Sequence, residues 1–83
     1  MSQTKNQAVD TTQLYERGRS IFEKVLPELM GIYYNWFILI EPDSGDYFVD
    51  MDELNALTKA RQKHPQSVFA IFRLNETGNT GRV

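Results

Sequence analysis

The feature that most constrains this chain is a continuous apolar run, Trp36 to Ile40, which is followed directly by the turn sequence EPDSGD at 41–46. A strand that is buried on both faces has such a run, whereas a strand with one exposed face alternates apolar and polar residues. Proline, aspartate, serine and glycine each favour reversal of the backbone. The sequence therefore predicts a central strand, a hairpin loop and a returning strand from Tyr47 to Val49.

Apolar residues at spacings of three and four predict an amphipathic helix before this hairpin. Thr11 or Thr12 is expected to cap its start, Pro27 to kink or split it, and Gly31 to end it in the left-handed conformation. The residues that form the apolar stripe are Leu14, Gly18, Ile21, Phe22, Val25, Leu26 and Leu29.

A second helix and a third strand are predicted after the hairpin. Asp50, with Glu53 three residues later, has the spacing of a capping box. His64 precedes Pro65, which disfavours helix there and ends the element. The apolar segment from Ser67 to Leu74 then predicts the last strand.

These elements predict an α+β fold with the order α-β-β-α-β. The most apolar strand belongs in the middle, which gives a three-stranded, mainly antiparallel sheet of order 2-1-3 with two helices on one face. Residues 11–74 would form a single domain. Residues 1–10 are predicted to be a disordered tail, and residues 75–83 a flexible tail that contains glycine.

Two helices on one face would leave the other face of the sheet uncovered. Large exposed apolar patches usually mark association sites. A chain of 83 residues without cysteine also needs some support other than disulfides. We therefore expect a homodimer, and the predicted interface residues are Trp36, Ile38, Ile40, Phe69 and Ile71.

Composition narrows the class of protein. A formal net charge of −2 gives no general attraction to nucleic acid. No apolar run approaches the roughly 20 residues that cross a bilayer, and the polar N-terminus is not a secretory signal. The absence of cysteine suits a reducing compartment, so a cytoplasmic protein is expected, without contact with nucleic acid or membrane.

Carboxylates are concentrated between 41 and 53, and paired carboxylates can bind a divalent cation. Asp43, Asp46 and Asp50 are weak candidates for such a site. The spacing does not match a calcium loop, because Gly45 stands at a ligand position counted from Asp43. Turn formation and helix capping explain the same residues individually, so no metal or other cofactor is expected.

Eight aromatic residues and a set of basic residues each allow two interpretations. Aromatic side chains on a sheet can stack RNA bases, but the neighbouring loop is acidic, which favours a core or a subunit interface. The basic residues could bind an anion, but the end of a helix explains most of them. The aromatic residues are Tyr33, Tyr34, Trp36, Phe37, Tyr47, Phe48, Phe69 and Phe72, and the basic residues are Lys59, Arg61, Lys63, His64 and Arg73.

Catalytic motifs are absent from the sequence. It contains no cysteine and no G-x-S-x-G, and its one histidine, His64, has no evident serine partner. An enzyme completed across a dimer interface by Asp46, Asp50 or His64 is the remaining catalytic alternative. We expect a protein that is not an enzyme.

Three segments resemble a group of small uncharacterised cyanobacterial proteins: YNWFILIEPDSGDYFVD at 34–50, KARQKHP at 59–65 and FRLNETGNTGR at 72–82. The chain is also distantly similar to short bacterial domains of unknown function that have a W-φ-φ-φ strand, a glycine turn and a following helix. The resemblance implies a cytosolic bacterial origin. It implies no activity and no role for any residue.

The predicted function is a small, non-enzymatic, homo-oligomeric module for protein interaction or regulation, which could also bind another protein. The alternative is a module that binds a small ligand or a divalent metal through the acidic 41–53 loop.

Overall fold

The structure, a computed structural model, describes residues 11–80. Along the chain, α1 spans Thr11–Leu29, β1 Phe37–Ile40, β2 Tyr47–Asp50, α2 Glu53–Lys63 and β3 Ala70–Arg73. The strands form one antiparallel sheet in the order β2-β1-β3. The predicted α+β class, element order and strand order are confirmed. The predicted N-terminal tail, 1–10, lies outside the described residues.

The helix α1 ends differently from the prediction. Pro27 lies in its last turn, and the helix continues to Leu29 without being split. Gly31 is not in the left-handed conformation; among non-glycine residues that the structure describes, only Asn35 has a positive φ, of 71°. Asparagine tolerates this conformation better than most residues. The left-handed residue of this connection is therefore Asn35, two residues before β1 begins.

Hydrogen bonds at the two ends of β1 establish which way its backbone groups point. Leu74 N–H donates to Trp36 C=O, and Glu41 N–H donates to the Asp46 C=O, each at 2.8 Å. Backbone groups of successive residues in a strand point to opposite sides. Even-numbered residues of β1 therefore bond to β3 and odd-numbered residues to β2. On β2, the same alternation turns the backbone groups of Tyr47 and Val49 away from β1, towards the edge of the sheet.

The two helices lie on opposite faces of the sheet, and the prediction that both cover one face was wrong. Ile38 and Ile40 pack beneath α1 around Phe22, whereas Leu39 packs against Ala56 and Ala60 of α2. All three β1 side chains are fully buried. A strand that is apolar on both faces needs cover on both, and one helix on each face supplies it.

This arrangement also corrects the predicted interface. Ile38 and Ile40 are buried by α1 within one chain, so neither is available to a second copy. Phe69 and Ile71 are partly buried and pack against the cluster formed by Leu39 and α2. Trp36 is partly buried, packs against the α1 cluster and lines an open groove.

The N-cap of α2 is two residues later than predicted. The N-cap residue is Asp52, whose side chain makes no capping hydrogen bond. Asp50 instead ends β2, and its Oδ1 accepts a hydrogen bond from the Asp52 N–H at 2.9 Å. The predicted end is confirmed, because His64 is the C-cap residue before Pro65.

Residues 75–80, the described part of the segment predicted to be a flexible tail, fold back over α1. The Asn75 Oδ1 accepts from the Gly78 N–H at 2.7 Å, and Arg19 Nη1 donates to the Thr77 C=O at 2.8 Å. Gly78 C=O accepts from the Arg73 N–H, a group that points out from the edge of β3. The C-terminal turn therefore covers part of the β3 edge. Residues 81–83 lie outside the described residues.

Candidate functional site

An open groove lies beside β2 on the α1 side of the sheet. The helix α1 packs over β3 and β1 but not over β2, so on this face of β2 Val49 is only partly buried and Tyr47 is exposed. The groove encloses about 510 Å³, within the usual range for small-molecule sites. Its lining residues are Leu29, Tyr33, Trp36, Tyr47, Val49 and Lys59.

Three of the six residues that line the groove are aromatic. Tyr33 and Trp36 lie with their ring centroids 4.8 Å apart and their planes tilted by 50°. Tyr47, the first residue of β2, keeps 40% of its surface exposed. Within residues 11–80, the side-chain donors of these three rings have no hydrogen-bond partner. The walls are therefore apolar, with polar groups that are free to bind something else.

Lys59 is the charged residue of the groove, and two contacts hold its ammonium in place. Nζ lies 3.0 Å from Asp50 Oδ2 and donates to the Val49 C=O at 2.9 Å. An ammonium has three protons, so these contacts leave one available. The Asp52 N–H, and then Lys59, hold the pKa of the Asp50 carboxyl below its usual range.

The predicted metal candidates are held apart by four different basic partners. Asp43 pairs with Arg17 of α1 at 2.6 Å, Asp46 with His64 and Lys63, and Asp50 with Lys59. No group of three or more histidine or acidic side chains suited to a metal occurs among residues 11–80. The carboxylates of the acidic loop therefore connect the hairpin to both helices.

A further carboxylate of the loop, Glu41, is buried and organises the turn. It accepts from the Ser44 N–H at 2.8 Å and from the Asp43 N–H at 3.2 Å. Burial raises the pKa of the Glu41 carboxyl, but these hydrogen bonds lower it further than burial raises it. Gly45, with φ of +80°, completes the loop.

Two members of the dimer-interface catalytic alternative, Asp46 and His64, meet within one chain. His64 Nε2 lies 2.8 Å from Asp46 Oδ2, and Lys63 Nζ lies 3.3 Å from the same oxygen. The Phe48 ring packs edge-on against the imidazole, with centroids 6.1 Å apart. Asp50 is at the other end of β2 and belongs to the Lys59 pair. The pairs join β2 to α2 at two points.

The other basic residues of the predicted set have structural contacts. Arg61 donates to the Ser67 C=O at 2.6 Å and lies 5.0 Å from the centre of the Phe69 ring. The Arg73 guanidinium lies 4.4 Å from the centre of the Phe37 ring. The helix end thus uses its charges mainly to hold its own loop and the strands beside it.

Sequence reasoning found parts of this groove but not the groove itself. Tyr33, Trp36 and Tyr47 were counted among the aromatic residues, and Lys59 among the basic ones. Their meeting depends on which part of the sheet α1 leaves open. The one local signal was the alternation of Tyr47 and Val49, which places two apolar side chains on the same face of an edge strand.

The fold and site define a small α+β domain with one helix on each sheet face and an aromatic groove beside an open edge strand. Neither the family models nor the curated proteins and solved structures searched gave a match to this chain. Over residues 11–80, no helix is long and apolar enough to cross a membrane.

Proposed function

We propose that this chain is a non-enzymatic interaction module that pairs with a second copy of itself along β2. The observation that carries the proposal is the open edge of this strand. Tyr47 and Val49 turn their backbone groups outward, the Tyr47 side chain is exposed, and the Val49 side chain is only partly buried. Such an edge is a ready template for another strand.

The two edges of the sheet differ in a way that favours β2. The outward N–H of Arg73 on β3 already bonds to Gly78. On β2, the contact from Lys59 uses only the Val49 C=O. A carbonyl oxygen has two lone pairs and can accept a second hydrogen bond.

A two-fold axis at Phe48 would use all the outward groups of β2. Tyr47 of each copy would then face Val49 of the other as a hydrogen-bonded pair, and the two Phe48 residues would face each other. Asp46 would approach Asp50 of the second copy. Each of these carboxylates already has a basic partner in its own chain, which reduces their repulsion.

A cytoplasmic setting is part of the proposal. Its support is the absence of cysteine, which suits a reducing compartment. The acidic-loop alternative has less support, since Asp43, Asp46 and Asp50 are each engaged by a basic side chain.

Replacement of Tyr47 by proline or alanine tests the edge pairing. Both Tyr47→Pro and Tyr47→Ala remove the ring, but only proline removes the outward N–H. Proline is also tolerated at the first residue of an edge strand. We expect sedimentation velocity at about 50 μM to show a dimer for the unmodified chain, a weakened dimer for Tyr47→Ala and a monomer for Tyr47→Pro.

Circular dichroism of both variants verifies that the fold persists. A monomeric unmodified chain would overturn the homodimer. A dimer that resists Tyr47→Pro would show that the copies associate through another surface.

A further inference from the structure

We propose that the groove beside β2 binds a small aromatic carboxylate, with the ring between the aromatic walls and the carboxylate on Lys59. This inference goes beyond self-association, because it assigns a ligand to a cavity within one chain.

The size and walls of the groove suit one planar ring. The cavity of about 510 Å³ is large enough for a single small molecule. The tilted rings of Tyr33 and Trp36, with centroids 4.8 Å apart, offer both faces and edges for contact. Aromatic pairs prefer offset or edge-to-face packing, which such a corner provides.

The polar groups of the groove are mainly hydrogen-bond donors, and this favours a ligand that carries acceptor atoms. Tyr33, Trp36, Tyr47 and Lys59 all offer protons, whereas Trp36 and Lys59 have no acceptor atom. A ligand that carries acceptor oxygens therefore complements this surface better than one that carries donors.

Lys59 favours a carboxylate among such ligands. Its contacts with Asp50 and Val49 fix the ammonium beside the groove and leave one proton free. Hydrogen bonds between an ammonium and a carboxylate are stronger than those to a neutral acceptor. Asp50 already holds the Lys59 ammonium at the edge of the cavity. A ligand therefore does not have to order the Lys59 side chain when it binds.

The protein contains one tryptophan, and it lines the groove, so Trp36 fluorescence reports occupancy directly. Benzoate and benzamide are matched probes that share a ring and differ in charge. We expect benzoate to change the Trp36 emission with saturation in the millimolar range, and benzamide to bind about tenfold more weakly.

Two lysines of α2 provide a matched pair of variants. Lys59 and Lys63 are both exposed, and each pairs with an aspartate of the β2 region, but Lys63 does not line the groove. We expect Lys59→Met to weaken benzoate binding about tenfold and Lys63→Met to leave it unchanged.

Each alternative outcome has a definite meaning. No change in Trp36 emission up to about 50 mM benzoate would overturn the site, since even fragment-sized ligands bind good pockets at such concentrations. Equal binding of benzamide and benzoate would overturn the carboxylate, as would equal loss in the two lysine variants. The benzoate titration and the comparison with benzamide both use the unmodified chain. The proposal can therefore be overturned even if a lysine variant fails to fold. The readout is Trp36 emission and not the oligomeric state, so a failure of this site and a failure of the homodimer are distinguishable.

Discussion

At the scale of single residues, Asp46 illustrates how the acidic loop is used. Its carboxylate lies 2.8 Å from His64 Nε2 and 3.3 Å from Lys63 Nζ, and these contacts, that of His64 first, lower the pKa of Asp46 from the ordinary value of 3.8. Because the folded-state pKa lies below the unfolded one, the stabilisation is complete above 3.8 and is lost as the pH falls through the folded value. We therefore expect Asp46→Asn to lower the free energy of unfolding near neutral pH, and the difference to shrink towards zero in acid. Urea unfolding over a series of pH values measures this difference.

A direct titration of Asp46 tests whether the contacts with His64 and Lys63 lower its pKa. The carboxyl carbon of Asp46, followed by NMR, should titrate below 3.8 in the unmodified chain and closer to that value in Lys63→Met. Lys24 lies on α1, away from this pair, so Lys24→Met serves as a control for general charge removal. An Asp46 pKa at or above 3.8 in the folded chain would show that the contacts with His64 and Lys63 do not act in solution.

At the scale of elements, α1 approaches β3 closely at Gly18. A Cβ atom there would lie only 2.5 Å from the Cβ of Ala70, a distance that real side chains do not sustain. Alanine improves helix propensity over glycine by about 1 kcal/mol, so an unpacked helix would be stabilised by the change. Because the clash forces α1 away from β3, we expect Gly18→Ala instead to destabilise the fold by about 1 to 3 kcal/mol. Chemical denaturation measures this change in the free energy of unfolding.

The partner residue provides the control for this element contact. Ala70→Gly removes the atom that a side chain at 18 would strike, so Gly18→Ala combined with Ala70→Gly should be more stable than Gly18→Ala alone. Gly31→Ala should change stability little, since a Cβ there meets nothing within 4 Å. If the double variant were no more stable than Gly18→Ala, close packing of α1 on β3 would not be the cause.

Much of the element structure could be predicted because its signals are local. The EPDSGD turn, the apolar central strand and the proline after α2 each act within a few residues, and the strand order followed from them. Local signals also misled: Asp50 and Glu53 have capping-box spacing, yet Asp50 ends β2 and bonds to the Asp52 N–H. Capping residues and turn residues share the same chemistry, so spacing alone does not separate them.

At the scale of the whole molecule, the face on which each helix packs could not be predicted. The sequences of α1 and α2 contain no local signal for the face on which each helix packs. The apolar pattern of β1 does require cover on both faces of the sheet. The prediction assigned the second cover to another copy of the chain, whereas the structure supplies it with the second helix. The groove depends on the same choice. Its side chains come from α1, the segment before β1, β2 and α2, and they meet only because α1 lies over β3 and β1.

The whole-molecule consequence of pairing through β2 is a six-stranded sheet with both α1 helices on one face. A two-fold axis perpendicular to the sheet at Phe48 would join the two grooves into one trough, because it keeps equivalent faces of the two copies on the same side.

Amide hydrogen exchange tests this assembly without any substitution. The N–H groups of Tyr47 and Val49 point outward from β2 and should be protected only in the dimer, so their exchange should slow as protein concentration rises. The Phe48 N–H points to β1 and should be protected at every concentration, which makes it the internal control. Exchange at Tyr47 and Val49 that stays fast and independent of concentration, in a sample shown to be dimeric, would place the contact elsewhere and leave each groove separate.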